Sequence, residues 1–154
     1  MIRSFQLIFI ALLFVGCFGG EKKQTHRIVY LSAQEGSIRL KRGLTSYYTI
    51  SLHRPAQSTY VFYTDPLDDV EPVYLNRFVE YWNSDTSGLS SGAPGAALII
   101  EKENGETVPF LFKVQDPEFD PQTNTLYFDA HTSQELEESI LKEAKGKITM
   151  FIET

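Results

Sequence analysis

The chain has 154 residues, a formal net charge of −6 and a single cysteine. An acidic chain without a basic cluster is poorly suited to bind nucleic acid or anionic lipid head groups through charge, so neither is an expected partner. One cysteine also excludes a framework of intrachain disulfides and a dithiol redox site.

The first sixteen residues have the parts of a secretory signal. Arg3 gives a positive start, Phe5 to Val15 form an apolar core, and Gly16 is a small residue before Cys17. This core is shorter than the about 20 residues that a membrane-spanning helix needs. We therefore expect residues 1–16 to be a signal peptide that is removed on export.

The residues around the cysteine suggest an anchor. Leu13-Phe14-Val15-Gly16-Cys17 resembles the bacterial lipobox, with Phe14 where leucine is usual. The resemblance implies diacylglycerol on Cys17 and an extracytoplasmic protein of the cell envelope, on the periplasmic face or the surface. Two glycines and a charge run after the cysteine predict a flexible polar tether, so that the lipidated cysteine and its tether span residues 17–25. The partner that the resemblance implies is a membrane, reached through the amino-terminal lipid. If Cys17 is not modified, the same leader predicts a freely secreted protein.

Residues 26–154 are expected to form a single β-rich domain, because apolar and polar residues alternate and aromatic and β-branched residues are frequent. The expected strands are residues 27–31, 37–41, 46–52, 59–63, 96–103, 106–114, 125–130 and 147–152. The first two should pair around Gln34-Glu35-Gly36, and Asn104-Gly105 should turn a second hairpin. Pro109 cannot donate a ladder hydrogen bond, so it should lie at an edge or a bulge. Residues 64–73, 84–95 and 116–124 are expected to be loops.

Helical periodicity appears in two places. Four apolar residues share one face of a helix predicted over residues 74–83: Leu75, Phe78, Val79 and Trp82. Thr132-Ser133-Gln134-Glu135 has the pattern of a capping box and predicts a second helix to about Lys145, ended by Gly146. The whole pattern predicts a mainly β fold: an antiparallel β-sandwich or open barrel of about eight strands with one or two short helices.

Several short segments between residues 60 and 152 resemble a family of small exported bacterial β-rich proteins of unknown function. The matching segments are Phe62-Tyr63-Thr64-Asp65-Pro66, Phe78 with Trp82, Ala93-Pro94-Gly95-Ala96-Ala97-Leu98, Asp116-Pro117-Glu118-Phe119-Asp120, Asn124-Thr125-Leu126 and Gly146-Lys147-Ile148-Thr149-Met150-Phe151-Ile152. The chain lacks the arginine that precedes the family's first proline and has Gly95 in place of an asparagine. The resemblance implies export and a β-rich fold, and it implies no reaction.

Four acids in the 64–73 segment form the first candidate site: Asp65, Asp68, Asp69 and Glu71. Carboxylates converging from one loop are ligands that Ca²⁺ accepts, although the spacing is not that of an EF-hand. The alternative is a solvated acidic loop.

Aromatic residues form the second candidate. They are Tyr47, Tyr48, Tyr60, Phe62, Tyr63 and, on the predicted helix, Trp82. Outward-facing rings could stack on sugars or hold a partner, and packing in the core is the alternative. A period of two predicts that Tyr60 and Phe62 share one face and that Tyr63 points to the other.

The sequence contains no recognisable catalytic constellation. His26, His53 and His131 lack zinc-ligand spacing, and only His53 ends a strand where a general base could lie. No nucleophile elbow or glycine-rich phosphate motif is present, so neither a catalytic residue nor a cofactor is predicted. The expected function is a binding or interaction module of the envelope, with an envelope protein or polysaccharide as partner. A small extracytoplasmic hydrolase or a calcium-dependent protein using residues 64–73 is the alternative, and a soluble secreted factor is another.

Overall fold

The computed structural model describes residues 27–63, 69–87, 89, 92–133 and 135–154. They form eight strands and two short helices. In chain order these are β1 (Arg27–Leu40), β2 (Tyr47–Pro55), β3 (Ser58–Tyr63), β4 (Val70–Tyr74), α1 (Leu75–Trp82), β5 (Gly95–Glu101), β6 (Thr107–Asp120), β7 (Thr125–His131), α2 (Glu138–Glu143) and β8 (Lys145–Glu153).

All eight strands lie in one antiparallel sheet. Their order is β2-β7-β6-β5-β8-β1-β3-β4, and β1 also pairs with β2. The extra pairing closes six strands into a ring and leaves β3 and β4 as a hairpin beside the first residues of β1. The prediction of a mainly β, antiparallel fold with about eight strands and one or two short helices is confirmed.

The ring encloses the hydrophobic core. Every ring strand turns alternate residues inward, and most of these are apolar and almost fully buried, for example Ile50, Leu98, Phe128 and Met150. Strand periodicity explains this pattern, because successive side chains point to opposite faces of a sheet. The outward-pointing residues are not part of this core, so their polarity can differ from one side of the ring to the other.

Strand β1 is longer than the sequence predicts. The predicted turn at Gln34-Glu35-Gly36 is wrong, because β1 is continuous through it and only shifts register against β8 between Ala33 and Gly36. A Cβ at Gly36 would lie 1.8 Å from Ile148 Cδ1 and 3.0 Å from the Ser51 carbonyl oxygen. This glycine therefore permits the close approach of neighbouring strands at a bulge, and it makes no hairpin turn.

Two predicted loops are partly strands. In the 64–73 segment, Val70 to Tyr74 form β4 and pair with β3. In the 116–124 segment, β6 continues to Asp120 across a second register shift, where Asp116 has a φ of 49° and Pro117 is buried. The prolines in these segments favour a loop, but proline also fits an edge strand or a bulge.

The first helix is confirmed and the second begins later than predicted. In α1, Leu75, Phe78 and Trp82 are buried, and Trp82 contacts Phe128 of the ring edge-on at 5.9 Å between ring centroids. The predicted capping box is wrong, because α2 begins only at Glu138 and has no side-chain cap at its start. Gly146 lies inside β8 rather than before it. Neither helix in the described part of the chain has the length and apolar character needed to cross a bilayer.

Both open edges of the sheet carry a proline. Strand β4 is the last strand of the order, and residues 107–112 of β6 pair with β5 alone, since pairing with β7 begins at Lys113. The hydrogen bonds from Tyr63 N to Asp69 O and from Lys102 N to Glu106 O set the register of the two hairpins. In that register the nitrogens of Pro72 and Pro109 point away from the paired strand. The expectation for Pro109 is confirmed, and each of these edges lacks one of its outward-pointing donors for strand addition.

Candidate functional site

A cleft lies between α1, the β3–β4 hairpin and the start of β1. Its volume is about 610 Å³, which is within the usual size of small-molecule sites. Apolar side chains from all of these elements and from the segment after α1 form its floor: Val29, Val61, Val73, Phe78 and Leu89. The cleft therefore offers an apolar surface that the ring's own core does not cover.

The hairpin and the helix position the polar rim of the cleft. On β3, Tyr63 faces the cleft together with Val61, whereas Tyr60 and Phe62 lie exposed on the other face. The prediction that Tyr60 and Phe62 share one face is confirmed. On β4, Glu71 faces the cleft two residues before Val73, as strand periodicity requires.

Tyr63, Glu71 and Arg27 form the polar group of the rim. The Tyr63 hydroxyl donates a hydrogen bond of 3.0 Å to Glu71 Oε2. The Arg27 guanidinium lies over the Tyr63 ring at 5.5 Å from its centroid. The hydrogen bond to Glu71 raises the pKa of Tyr63, and partial burial and the charge of Glu71 act in the same direction. The phenol therefore stays protonated at neutral pH and serves as a hydrogen-bond donor.

The helix contributes a second polar pair. Arg77 and Glu80 form an exposed ion pair of 3.0 Å on the helix surface beside the cleft. Such an exposed pair stabilises the helix by only a few tenths of a kcal/mol. Among the described residues, by contrast, no carboxylate lies within ion-pair distance of the Arg27 guanidinium. Arg27 therefore retains hydrogen-bond donors for an anionic group at the mouth of the cleft.

The structure brings together only some of the residues predicted from the sequence. Tyr63 and Glu71 are in direct contact, and the Asp69 carbonyl accepts a hydrogen bond from Tyr63 N. Asp65 and Asp68 lie outside the described residues. Within the described ranges, no three His, Cys, Asp or Glu residues are placed to hold a metal ion, and the calcium hypothesis that also uses Asp65 and Asp68 stays a prediction.

The remaining candidates lie away from the cleft mouth. Trp82 is fully buried and contacts Phe78, one of the floor residues, at 5.6 Å between ring centroids. Tyr47 lies on β2 against the ring of His131. His53 Nδ1 is 3.1 Å from Thr125 Oγ1 in the wall of the ring. The described residues that line the cleft include neither a histidine nor a cysteine.

Sequence reasoning did not identify Arg27 and Arg77 as parts of this site. In the sequence Arg27 is only the first residue of a predicted strand, and Arg77 lies within the helix predicted over residues 74–83. Both arginines line the same cleft because β1 pairs with β3 and because α1 follows β4 directly. No local pattern in the sequence contains that information.

Comparisons with models of protein families, with curated proteins and with solved structures gave no significant match to this chain. The resemblance to small exported bacterial proteins therefore stays a prediction.

Proposed function

We propose that this chain is an exported envelope protein held to a membrane by lipid on Cys17, and that its folded domain is a non-enzymatic binding module. The leader and the lipobox-like residues 13–17 support the anchor. Cys17 lies outside the described residues, so the anchor rests on sequence alone. The cleft beside α1 supports binding.

The observation that carries the binding proposal is an apolar floor with a cation at its edge. Five apolar side chains form the floor, and Arg27 lies at the rim over the Tyr63 ring. Guanidinium groups bind carboxylate and phosphate oxygens through paired hydrogen bonds. The ligand that fits this arrangement has an apolar body and an anionic end.

The same geometry favours binding over catalysis. A general base must be able to take up a proton near neutral pH. The raised pKa of Tyr63 keeps its hydroxyl protonated, and Glu71 is engaged as its acceptor. The two groups therefore orient each other and the ligand. Neither is left as a free base next to a bound substrate.

Metabolic labelling tests the anchor. Cells that express the protein are grown with radiolabelled palmitate, and the wild type is compared with Cys17→Ser. We expect label in the wild type and none in the variant, because this is the only cysteine in the chain. Equal labelling of the two chains, or no label in either, contradicts the anchor.

Titration with anilinonaphthalene sulfonate, an apolar dye with an anionic group, tests the cleft. Arg27→Met keeps the length of the side chain and removes its charge. We expect the dissociation constant to rise about tenfold or more, since a hydrogen bond to a charged group contributes about 1.5–3 kcal/mol. Val61→Glu, which places a charge on the floor, should abolish binding.

Arg54→Met is the matched control for the titration. Arg54 is an exposed arginine on β2, paired with Glu35 at 3.7 Å and remote from the cleft. Its replacement should leave dye binding unchanged. The emission of Trp82, the only tryptophan, reports whether each variant is folded. Unchanged dye affinity in folded Arg27→Met and Val61→Glu refutes the cleft as the binding site.

A further inference from the structure

A row of apolar side chains crosses the outer surface of the sheet, from the β3–β4 hairpin onto one side of the ring. The strand register places six side chains opposite one another across the adjacent strands β4, β3, β1, β8, β5 and β6. We call them the apolar row: Pro72, Tyr60, Tyr30, Phe151, Ala97 and Leu111. Leu111 is 75% exposed, Tyr60 43% and Phe151 36%. Large apolar side chains of the apolar row are therefore in contact with solvent.

The other side of the ring differs. Strand β2, the second half of β1 and β7 place Arg39, Thr49 and Asp129 opposite one another on the outer surface, and beside them Ser37 and Tyr127. The contrast is visible along β1, which contributes Tyr30 to the apolar row and places Ser37 and Arg39 on the polar side. The outer wall of the ring is therefore amphipathic, as a surface that lies at an interface between two media should be.

The dimensions of the apolar row favour a thin, extended contact. Six strands about 4.8 Å apart give a length of about 24 Å. With the adjacent exposed Ile28, Phe62 and Val70, the apolar surface is on the order of 500 Å², since each of these side chains has an area of roughly 150–250 Å² when fully exposed. A standard protein interface buries about 800 Å² on each partner, so a second copy would also have to cover charged residues beside the row, such as Glu153 opposite Ile28 and Lys113 two residues after Leu111. Pro72 and Pro109 each remove one outward N–H from an open edge, which disfavours enlarging the contact by strand addition.

The start of β1 places part of the apolar row close to Cys17 in the sequence. Residues 18–26 separate Cys17 from Arg27, and a chain of nine residues spans at most about 30 Å. Ile28 and Tyr30, which follow at once, belong to the apolar surface. Lipid on Cys17 would hold this wall within reach of the bilayer surface.

We propose that the apolar row lies against the interface of the membrane that holds Cys17, so that the domain rests on the bilayer through this wall. The proposal rests on the lipid anchor of the proposed function. Tyrosine rings combine an apolar body with a polar tip and are favoured at membrane interfaces. The contact is apolar, because an acidic chain gains nothing by charge from anionic lipids.

The ring geometry favours a bilayer over a glycan. Tyr30 is tilted by 52° to Tyr60 and by 63° to Phe151, with ring centroids 6.3 Å and 5.5 Å apart. A sugar chain stacks on faces of rings, and these rings present edges and faces at mixed angles. The interface of a fluid bilayer does not require the rings to present their faces.

Quenching by brominated lipid tests the contact. Phe151→Trp adds an indole to the apolar row, and Tyr127→Trp adds one to the polar wall as the matched control. Trp82 is fully buried and supplies the constant background. The lipidated chain is placed in phosphatidylcholine vesicles with and without bromine on the acyl chains. We expect loss of most of the added emission for Phe151→Trp and no loss for Tyr127→Trp.

A second arm separates this proposal from the anchor. The chain from residue 17 onward is coupled through its single thiol to a maleimide lipid in the same vesicles, so the contact is measured even if cells never acylate Cys17. Adding Leu111→Lys or Tyr60→Lys to Phe151→Trp should restore its emission, because each places a charge in the apolar row. Both sites are exposed, so these variants should fold.

Two outcomes overturn the contact while leaving the anchor intact. The first is unquenched Phe151→Trp in both arms. The second is emission from Phe151→Trp that is the same with and without bromine, together with a dimer or a bound protein detected by sedimentation. That result would assign the apolar row to a protein partner. Quenching that disappears at high salt would also contradict an apolar contact.

Discussion

Gly36 gives the most direct test of the fold, because its substitution should clash with one named residue. A Cβ at this position would lie 1.8 Å from Ile148 Cδ1 and 2.7 Å from Ile148 Cγ1. Ile148 is fully buried and cannot turn away without displacing its neighbours. We expect Gly36→Ala to lower the free energy of unfolding by about 1–3 kcal/mol, the usual cost of inserting a methyl group into a packed core.

A double-mutant cycle identifies the clash. Ile148→Val removes Cδ1 and alone should cost about 0.5–1.5 kcal/mol. In the double variant the closest contact of the inserted methyl group, that with Cδ1, is gone, whereas the contact with Cγ1 at 2.7 Å remains because valine keeps this atom. The loss should therefore be smaller than the sum of the single losses by about 1 kcal/mol, as for residues in contact. Urea unfolding followed by Trp82 fluorescence measures all four proteins.

Gly95→Ala is the control, since no atom lies within 4 Å of a Cβ built there. Its free energy of unfolding should stay within about 0.5 kcal/mol of the wild type. If Gly36→Ala is as mild as Gly95→Ala, or if its effect adds to that of Ile148→Val, then Gly36 does not lie between β8 and β2. A hairpin turn at residues 34–36 would then be the better account.

Three further predictions concern protonation and the sheet edge. Glu71→Gln should lower the pKa of Tyr63 towards its ordinary value, and a difference titration of tyrosinate absorbance measures this pKa. In the wild type the stability that comes from the raised pKa of Tyr63 is present below about pH 10 and is lost as pH rises through that raised pKa. The Thr123 hydroxyl donates a hydrogen bond to the Asp120 carboxylate, so Thr123→Val should raise the lowered pKa of Asp120, which NMR can follow. In the wild type the stability that comes from this lowered pKa should be lost as pH falls below about 3.9. Pro109→Val restores an N–H at an open edge and should increase self-association in sedimentation velocity, and an unchanged profile contradicts the protective role of the proline.

The elements that the sequence predicted best are those determined by neighbours in the chain. The spacing of Leu75, Phe78 and Trp82 is sufficient to define one face of α1. Asn104-Gly105 likewise predicts the turn between β5 and β6, where Gly105 has a φ of 81°. In both cases the physical cause lies within a few residues, so inspection of the sequence finds it.

The missed features depend on partners that are distant in sequence. Gly36 is required because Ile148 approaches it from β8, and a local reading can only assign the glycine to a turn. The closure of the ring depends on the pairing of β1 with β2 and β8 together. Tyr63 and Glu71 are both candidates in the sequence, but they belong to two separate predicted sites, and no cleft is predicted. Arg27 was missed, because it joins them through a long-range strand pairing.

Mass spectrometry of the mature amino terminus tests the central claim most directly. The protein is purified from the membrane fraction of its producing cells, and its amino-terminal peptide is analysed intact. The account predicts that this peptide begins at Cys17 and carries the mass of a diacylglyceryl group with its acyl chains. A peptide that begins at Met1, or an unmodified Cys17 in protein recovered from the soluble fraction, would contradict it.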